Sequence, residues 1–117
     1  MSKDIDIVIY GATGFTGQLC VKYFQSLNLE INWAIAGRNQ EKLKDVASNL
    51  APNVEVLVAD SDDERGLSDI CSRTKVVLST AGPFHRYGSK LVSACVKNGT
   101  HYVDCLLYTS DAADEVR

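Results

Sequence analysis

The stretch Ile7-Val8-Ile9-Tyr10-Gly11-Ala12-Thr13-Gly14-Phe15-Thr16-Gly17 constrains the fold of this chain more than any other. Four apolar, mostly β-branched residues run into three glycines spaced three apart, and a helix-compatible run from Gln18 to Leu27 follows directly. A covered strand, a tight turn and a helix N-terminus are therefore expected. A pyrophosphate needs bare backbone N–H groups and the positive end of a helix dipole, with no Cβ in its path. Gly11 is expected to make the turn, Gly14 to let a ligand approach the backbone, and Gly17 to let the helix lie close on its strand. The spacing is G-x-x-G-x-x-G, not the commoner G-x-G-x-x-G, so the reading draws its weight from the flanking strand and helix.

The remainder of the chain continues that alternation. Ile5 to Tyr10 is too continuously apolar, Asp6 apart, for a strand with one wet face, and it suits a parallel strand covered on both sides. Leu19, Tyr23, Phe24 and Leu27 recur at helical spacing and are expected to bury one face of the first helix. Ile31 to Ala36 reads as a second strand ending at Gly37, followed by a helix marked by Leu43, Val46, Ala47 and Leu50 and closed by Pro52-Asn53. Val54 to Ala59 is the third strand. Ser61-Asp62-Asp63-Glu64 has the form of a capping box and predicts a helix running to Cys71 or Ser72. Val76 to Ser79 is the fourth strand, and Pro83 keeps the loop from Thr80 to Phe84 out of a helix. A last helix is expected over Ser89 to Lys97, with Val92, Cys95 and Val96 inward and Asn98-Gly99 as its stop, before a fifth strand from Thr100 to Asp104. Strand and helix alternating through short links predict an α/β domain, a doubly wound parallel sheet of Rossmann type with about five strands and right-handed crossovers.

Composition narrows the partners. The chain has 117 residues, enough for one domain, an apolar share of 45%, and a formal charge of -3 with its lysines and arginines scattered. Nucleic acid is not an expected ligand. Cys20, Cys71, Cys95 and Cys105 include no C-x-x-C and no histidine at metal-ligand spacing, so free thiols and no metal are expected. No signal-peptide core and no bilayer-length apolar run is present, which points to the cytoplasm or to the cytosolic face of an organelle.

The end of the second strand carries the cofactor preference. A fold of this kind that takes NAD usually places an acid there, to accept hydrogen bonds from the adenosine ribose. This chain has Ala36-Gly37-Arg38-Asn39 instead. A guanidinium pairs bidentately with a 2′-phosphate that a carboxylate would repel, so NADP is expected in preference to NAD. Lys42, in the first turn of the following helix, adds a second positive charge. Asp60, at the end of the third strand, lies on the edge where the adenine would rest and is a candidate acceptor for its exocyclic amine. The loop from Ser79 through Ala81, Gly82, Pro83 and Phe84 follows the fourth strand and should pass the nicotinamide ribose. His85, Tyr87 and His101 are acid–base candidates by type. Tyr87 has Lys90 three residues on, but a short-chain reductase pair needs a longer spacing on a helix, and His101 falls in a strand; no catalytic residue is assigned.

G-A-T-G-F-T-G at Gly11 to Gly17, Ala36-Gly37-Arg38-Asn39, G-P-F-x-x-Y-G at Gly82 to Gly88 and N-G-T-H-Y-x-D at Asn98 to Asp104 closely resemble the saccharopine dehydrogenase-like oxidoreductases. The resemblance covers residues 5 to 104, and its two later blocks are more specific than the glycine turn. It implies a nicotinamide-binding domain, usually NADP-preferring, continued in the family by a substrate domain. It also implies Gly11, Thr13, Gly14, Phe15, Thr16 and Gly17 for the pyrophosphate, Arg38 for the 2′-phosphate, and the Ala81 to Phe84 loop. The branch that this chain resembles includes lipid-droplet-associated proteins and an enoyl reductase, which implies hydride transfer to a lipid-like or amino-acid-derived substrate. It also admits an NADP-binding or lipid-droplet interaction module without turnover, placed in the cytoplasm, at lipid droplets or on a membrane's cytosolic face. After Asp104 the family pattern stops: Cys105-Leu106-Leu107-Tyr108-Thr109-Ser110-Asp111-Ala112-Ala113-Asp114-Glu115 reads as a translated transposase-type sequencing adapter. Residues 105–117 are therefore expected to be a non-native tail, with the substrate domain absent and the fragment inactive by itself.

Overall fold

The computed structural model describes residues 3–27, 30–50, 54–60, 62–80 and 89–104. Among the described residues five strands and four helices alternate: β1 (Ile5–Tyr10), α1 (Phe15–Leu27), β2 (Trp33–Gly37), α2 (Gln40–Leu50), β3 (Glu55–Val58), α3 (Glu64–Arg73), β4 (Thr74–Ser79), α4 (Ser89–Lys97) and β5 (His101–Asp104). The strands form one sheet in the order β3-β2-β1-β4-β5, every neighbouring pair parallel. The expected α/β doubly wound sheet is thus the observed one.

Both faces of the sheet are covered, and this explains the uninterrupted apolar runs. Ile9 and Ile35 point to the layer of α1 and α2, where they meet Val21, Leu43 and Val46. Val8, Ala34 and Val77 point to the layer of α3 and α4, where they meet Leu67, Ile70, Leu91 and Cys95. Phe24 and Trp33 pack ring on ring in the first layer with centroids 5.5 Å apart. In the second, the sulfurs of Cys71 and Cys95 lie 3.5 Å apart as free thiols. Asp6, the polar exception in β1, accepts the Asn32 N–H at 3.0 Å and pairs with Lys75 at 3.0 Å. Those bonds hold its carboxyl below the usual carboxylate range.

Three local expectations are corrected. α1 starts at Phe15, not Gln18, and it buries Gly17 and Val21, with Phe24 half-buried, while Leu19, Tyr23 and Leu27 stand exposed. The contact of Gly17 with the glycine turn fixes the rotation of the helix, and at 3.6 residues per turn Leu19 and Tyr23 then fall on the far side. α4 buries Leu91, Ala94 and Cys95, and turns Val92 and Val96 outward. The third correction is the start of α3, whose N-cap is Asp63; Ser61 of the expected capping box lies outside the described residues. Asp60 turns the chain first, its carboxylate accepting the Asp62 N–H at 3.2 Å and its carbonyl the Asp63 N–H at 2.9 Å. Asp63 then caps α3 through the Gly66 N–H at 3.0 Å. The expected stop of α4 is present: Gly99 takes φ +66°, and Thr100 N–H reaches the Cys95 carbonyl at 2.8 Å, a Schellman ending.

Candidate functional site

At the carboxyl end of β1 the backbone polar groups of the glycine turn are fixed from two sides. Gly11 takes φ +86°, a conformation that costs a side-chain-bearing residue about 1–2 kcal/mol. The N–H groups of Gly11 and Ala12 both reach the carbonyl of Ala36 on β2, at 2.8 and 3.3 Å. Gly14 N–H closes the turn on the Gly11 carbonyl at 3.1 Å, and the Gln18 N–H and side-chain amide reach the carbonyls of Gly14 and Thr13 at 2.9 Å each. A Cβ on Gly17 would collide with the Gly11 carbonyl oxygen and stand 2.7 Å from the Cα of Ala12, so α1 begins in direct contact with the turn. Gly14 is exposed, and a Cβ there would meet nothing nearer than 3.7 Å. The first N–H groups of α1, on Phe15, Thr16 and Gly17, have no intrahelical acceptor, and with the helix dipole they make a seat for an anion. Phe15 stands beside it, 81% exposed.

Arg38 and Asn39 follow β2 on the same rim, and both are exposed. The side-chain oxygen of Asn39 accepts the Lys42 N–H at 3.0 Å, so Asn39 caps α2. A cleft of about 390 Å³ lies between the glycine turn and α2, lined by Thr13, Gln18, Lys42, Asp45, Asn49 and Leu50 among others. Asp60 is exposed at the end of β3. Below the rim the Tyr10 hydroxyl donates to the Ala59 carbonyl at 2.8 Å. Burial first and the negative charge of Asp60 second push the Tyr10 phenol up to about 12, while Arg38 acts in the opposite sense. Tyr10, Arg38 and Asp60 therefore share one neighbourhood.

The described site residues Gly11, Thr13, Gly14, Phe15, Thr16, Gly17, Arg38, Asn39, Lys42 and Asp60 all fall on the carboxyl rim of β1, β2 and β3 or on the helix starts just beyond it. Ala81, Gly82, Pro83 and Phe84, with His85 and Tyr87, lie outside the described residues. His101 is exposed at the amino end of β5, paired with Val76, and so is not at this rim. Lys90 faces Asp62 and Glu64 at 3.7 and 3.9 Å. Sequence reasoning placed Thr80 in the loop after β4 but gave its side chain no role; its N–H and hydroxyl both reach the Tyr10 carbonyl at 2.9 Å, and its hydroxyl also lies 3.0 Å from the Gly11 carbonyl. Among the described residues no group of histidine, cysteine or acidic side chains could hold a metal, and no helix is long and apolar enough to cross a membrane.

A parallel sheet with a glycine turn, a helix N-terminus and an arginine along one rim defines a dinucleotide-binding domain, and the donors present suit a phosphorylated adenosine. The family described as the saccharopine dehydrogenase NADP-binding domain matches residues 7–116, and the chain belongs to that family. It is thus an NADP-binding domain of an oxidoreductase family. A trans-acting enoyl reductase of Mycobacterium leprae is 41% identical over 105 residues, 87% of this chain and 25% of that protein. A lipid droplet localized protein of Caenorhabditis elegans is 41% identical over 108 residues, 85% of this chain and again 25% of the relative. The chain thus spans about a quarter of these relatives' length. Among solved structures, the saccharopine dehydrogenase of Saccharomyces cerevisiae superposes with a TM-score of 0.71 at 19% identity, over 86% of this chain and 21% of that one. A short-chain dehydrogenase/reductase of Veillonella parvula in complex with NADP superposes at 0.67 and 16% identity, over 86% and 46%. At such identities the likeness is one of fold.

Proposed function

We propose that this chain is the NADP-holding part of a reductase that moves hydride between the nicotinamide and a lipid-like or amino-acid-derived acceptor. The observation that carries the reading is Arg38, a cation at the β2 rim where an NAD-preferring fold carries an acid. The mycobacterial relative's name favours an unsaturated acyl substrate within that range. The N–H groups and open backbone of Gly11 to Gly17, including Thr13, Gly14, Phe15 and Thr16, take the pyrophosphate. Arg38 and Lys42 take the 2′-phosphate, with Asn39 holding the start of α2 in place. Asp60 takes the adenine amine, and Ala81, Gly82, Pro83 and Phe84 line the nicotinamide ribose. When bound, the nicotinamide supplies the hydride chemistry, and the chain's residues bind and orient it. The residues assigned here bind and orient the cofactor, and no substrate-binding or acid–base group is assigned among them.

The lipid droplet relative favours a second reading, an NADP-binding module at a lipid surface on the cytosolic side with no turnover of its own. We further propose that residues 105–117 are not native sequence. The family match runs across them to residue 116, and sequencing the transcript through the Asp104 codon decides between the two. The cofactor assignment is tested by calorimetric titration with NADPH and NADH. NADPH should bind at least about tenfold more tightly, and Arg38→Gln should remove most of that preference while leaving NADH binding unchanged. Equal binding of the two cofactors by the unaltered chain would overturn the role of Arg38.

A further inference from the structure

Two segments meet at the rim between β1 and β4, the glycine turn and the first residue after β4. They are joined by one side chain, Thr80. Its backbone N–H donates to the Tyr10 carbonyl at 2.9 Å, as a continuing strand pair would. Its hydroxyl lies 2.9 Å from that carbonyl and 3.0 Å from the carbonyl of Gly11, and its one proton is shared between them. Any residue but proline supplies the N–H. Only a hydroxyl at this position supplies the second contact.

The Gly11 carbonyl is the pivot of the turn. It accepts the Gly14 N–H that closes the turn, and it is the atom that a Cβ on Gly17 would strike. On the β2 side the Ala36 carbonyl holds the N–H groups of Gly11 and Ala12. On the β4 side the Thr80 hydroxyl holds the Tyr10–Gly11 carbonyls. With both sides fixed, the orientation of the Gly11 peptide is set before any ligand arrives, and the turn that leads into α1 is held in place. Preorganised donors bind an anion without first paying to order themselves.

We infer that Thr80 is a positioning residue for the cofactor pyrophosphate: its hydroxyl orients the Gly11 peptide and couples the glycine turn to the carboxyl end of β4. The inference rests on the reading of the turn as the pyrophosphate seat. It predicts an effect confined to ligands that carry a 5′-phosphate.

The experiment titrates the 117-residue chain and its variants with NADPH and, separately, with adenosine 2′-monophosphate, which keeps the 2′-phosphate and adenine but has no 5′-phosphate. Thr80→Val, which keeps the shape and the N–H but lacks the hydroxyl, should bind NADPH about tenfold more weakly and adenosine 2′-monophosphate as the parent does. Thr80→Ser, which restores the hydroxyl, should recover NADPH binding to within about threefold of the parent. Unchanged NADPH binding by Thr80→Val, parallel loss of both ligands, or failure of Thr80→Ser to recover would each overturn the positioning role while leaving the seat intact. If Thr80→Val does not fold, Thr80→Ala takes its place; if neither folds, the hydroxyl is a structural group and the inference fails. A parent chain that binds adenosine 2′-monophosphate but not NADPH would overturn the seat itself, and the role of Thr80 with it.

Discussion

A methyl group added at Gly17 meets the carbonyl oxygen of Gly11 and the Cα of Ala12, 2.7 Å away. Neither atom can retreat, because Ala12 is fully buried and the Gly11 carbonyl is held by Gly14 and Thr80. The helix would have to lift from the turn, opening the layer of Ile9, Val21 and Leu43 behind it. The same methyl at Gly14 enters open space, with its nearest neighbour at 3.7 Å. Gly17→Ala is therefore expected to cost at least about 3 kcal/mol, beyond ordinary overpacking, because the clash is with backbone. Gly14→Ala is expected to leave stability within about 1 kcal/mol of the parent and, on the proposed role of the turn as the pyrophosphate seat, to weaken NADPH by placing a Cβ in the ligand's path. Thermal unfolding and a cofactor titration on the two variants check this pair. Undiminished NADPH binding by Gly14→Ala would remove Gly14 from the seat.

Among the helices, α2 behaves as its pattern suggests and α1 does not. Leu43 is fully buried between α2 and the sheet, and Leu43→Ala should cost about 2–5 kcal/mol. Tyr23 stands 63% exposed on α1, and Tyr23→Ala should change stability by no more than about 0.5 kcal/mol. Urea unfolding of the two variants tests the rotation of α1 directly, since the face expected from spacing alone would make both costly. The order and type of the elements were legible because each strand is a short apolar run and each link is short. The buried face of α1 was not, because its apolar residues lie on more than one side and its deciding contact is a glycine, which carries no hydrophobic weight. In α4, likewise, Ala94 lies inward in preference to the larger Val92 and Val96. That the glycine turn and Arg38 fall on one rim was readable, because each directly follows the end of one of two neighbouring parallel strands. The role of Thr80 was not, because the carbonyl that gives its hydroxyl meaning is 69 residues away. The start of α3 was misread because a serine three residues before a glutamate matches a capping box as well as the Asp60 turn that forms here.

Across the whole sheet, the cofactor rim is held together by a bond that skips a strand. Tyr10 ends the central β1, and its hydroxyl reaches past β2 to the Ala59 carbonyl just beyond β3. Ala59 N–H in turn donates to the Gly37 carbonyl at 2.9 Å, so β1, β2 and β3 close at one point. Arg38 and Asp60 flank that point, and loss of the bond would loosen the rim as a unit. The phenol is pushed up to about 12, by burial first and by the Asp60 carboxylate second. An unfolded tyrosine titrates near 10, so the folded state favours the protonated form. The sign follows from linkage: the stabilisation is fully present below pH about 10, and it is lost as the pH rises from about 10 through 12. The comparison is made against Tyr10→Phe, which lacks both the ionisation and the bond and differs from the parent in nothing else. At pH 8 the parent should be the more stable by about 1–3 kcal/mol, the cost of leaving the buried Ala59 carbonyl without its donor. Between pH 10 and 12 that advantage should shrink, because the unfolded parent gains the free energy of ionising this phenol while the folded parent keeps it protonated, and Tyr10→Phe has no such group in either state. A stability difference that stays constant from pH 8 to 12 would mean that the Tyr10 hydroxyl reaches water, and the rim would then have to be held by the backbone bonds of Gly11, Ala12 and Ala59 alone.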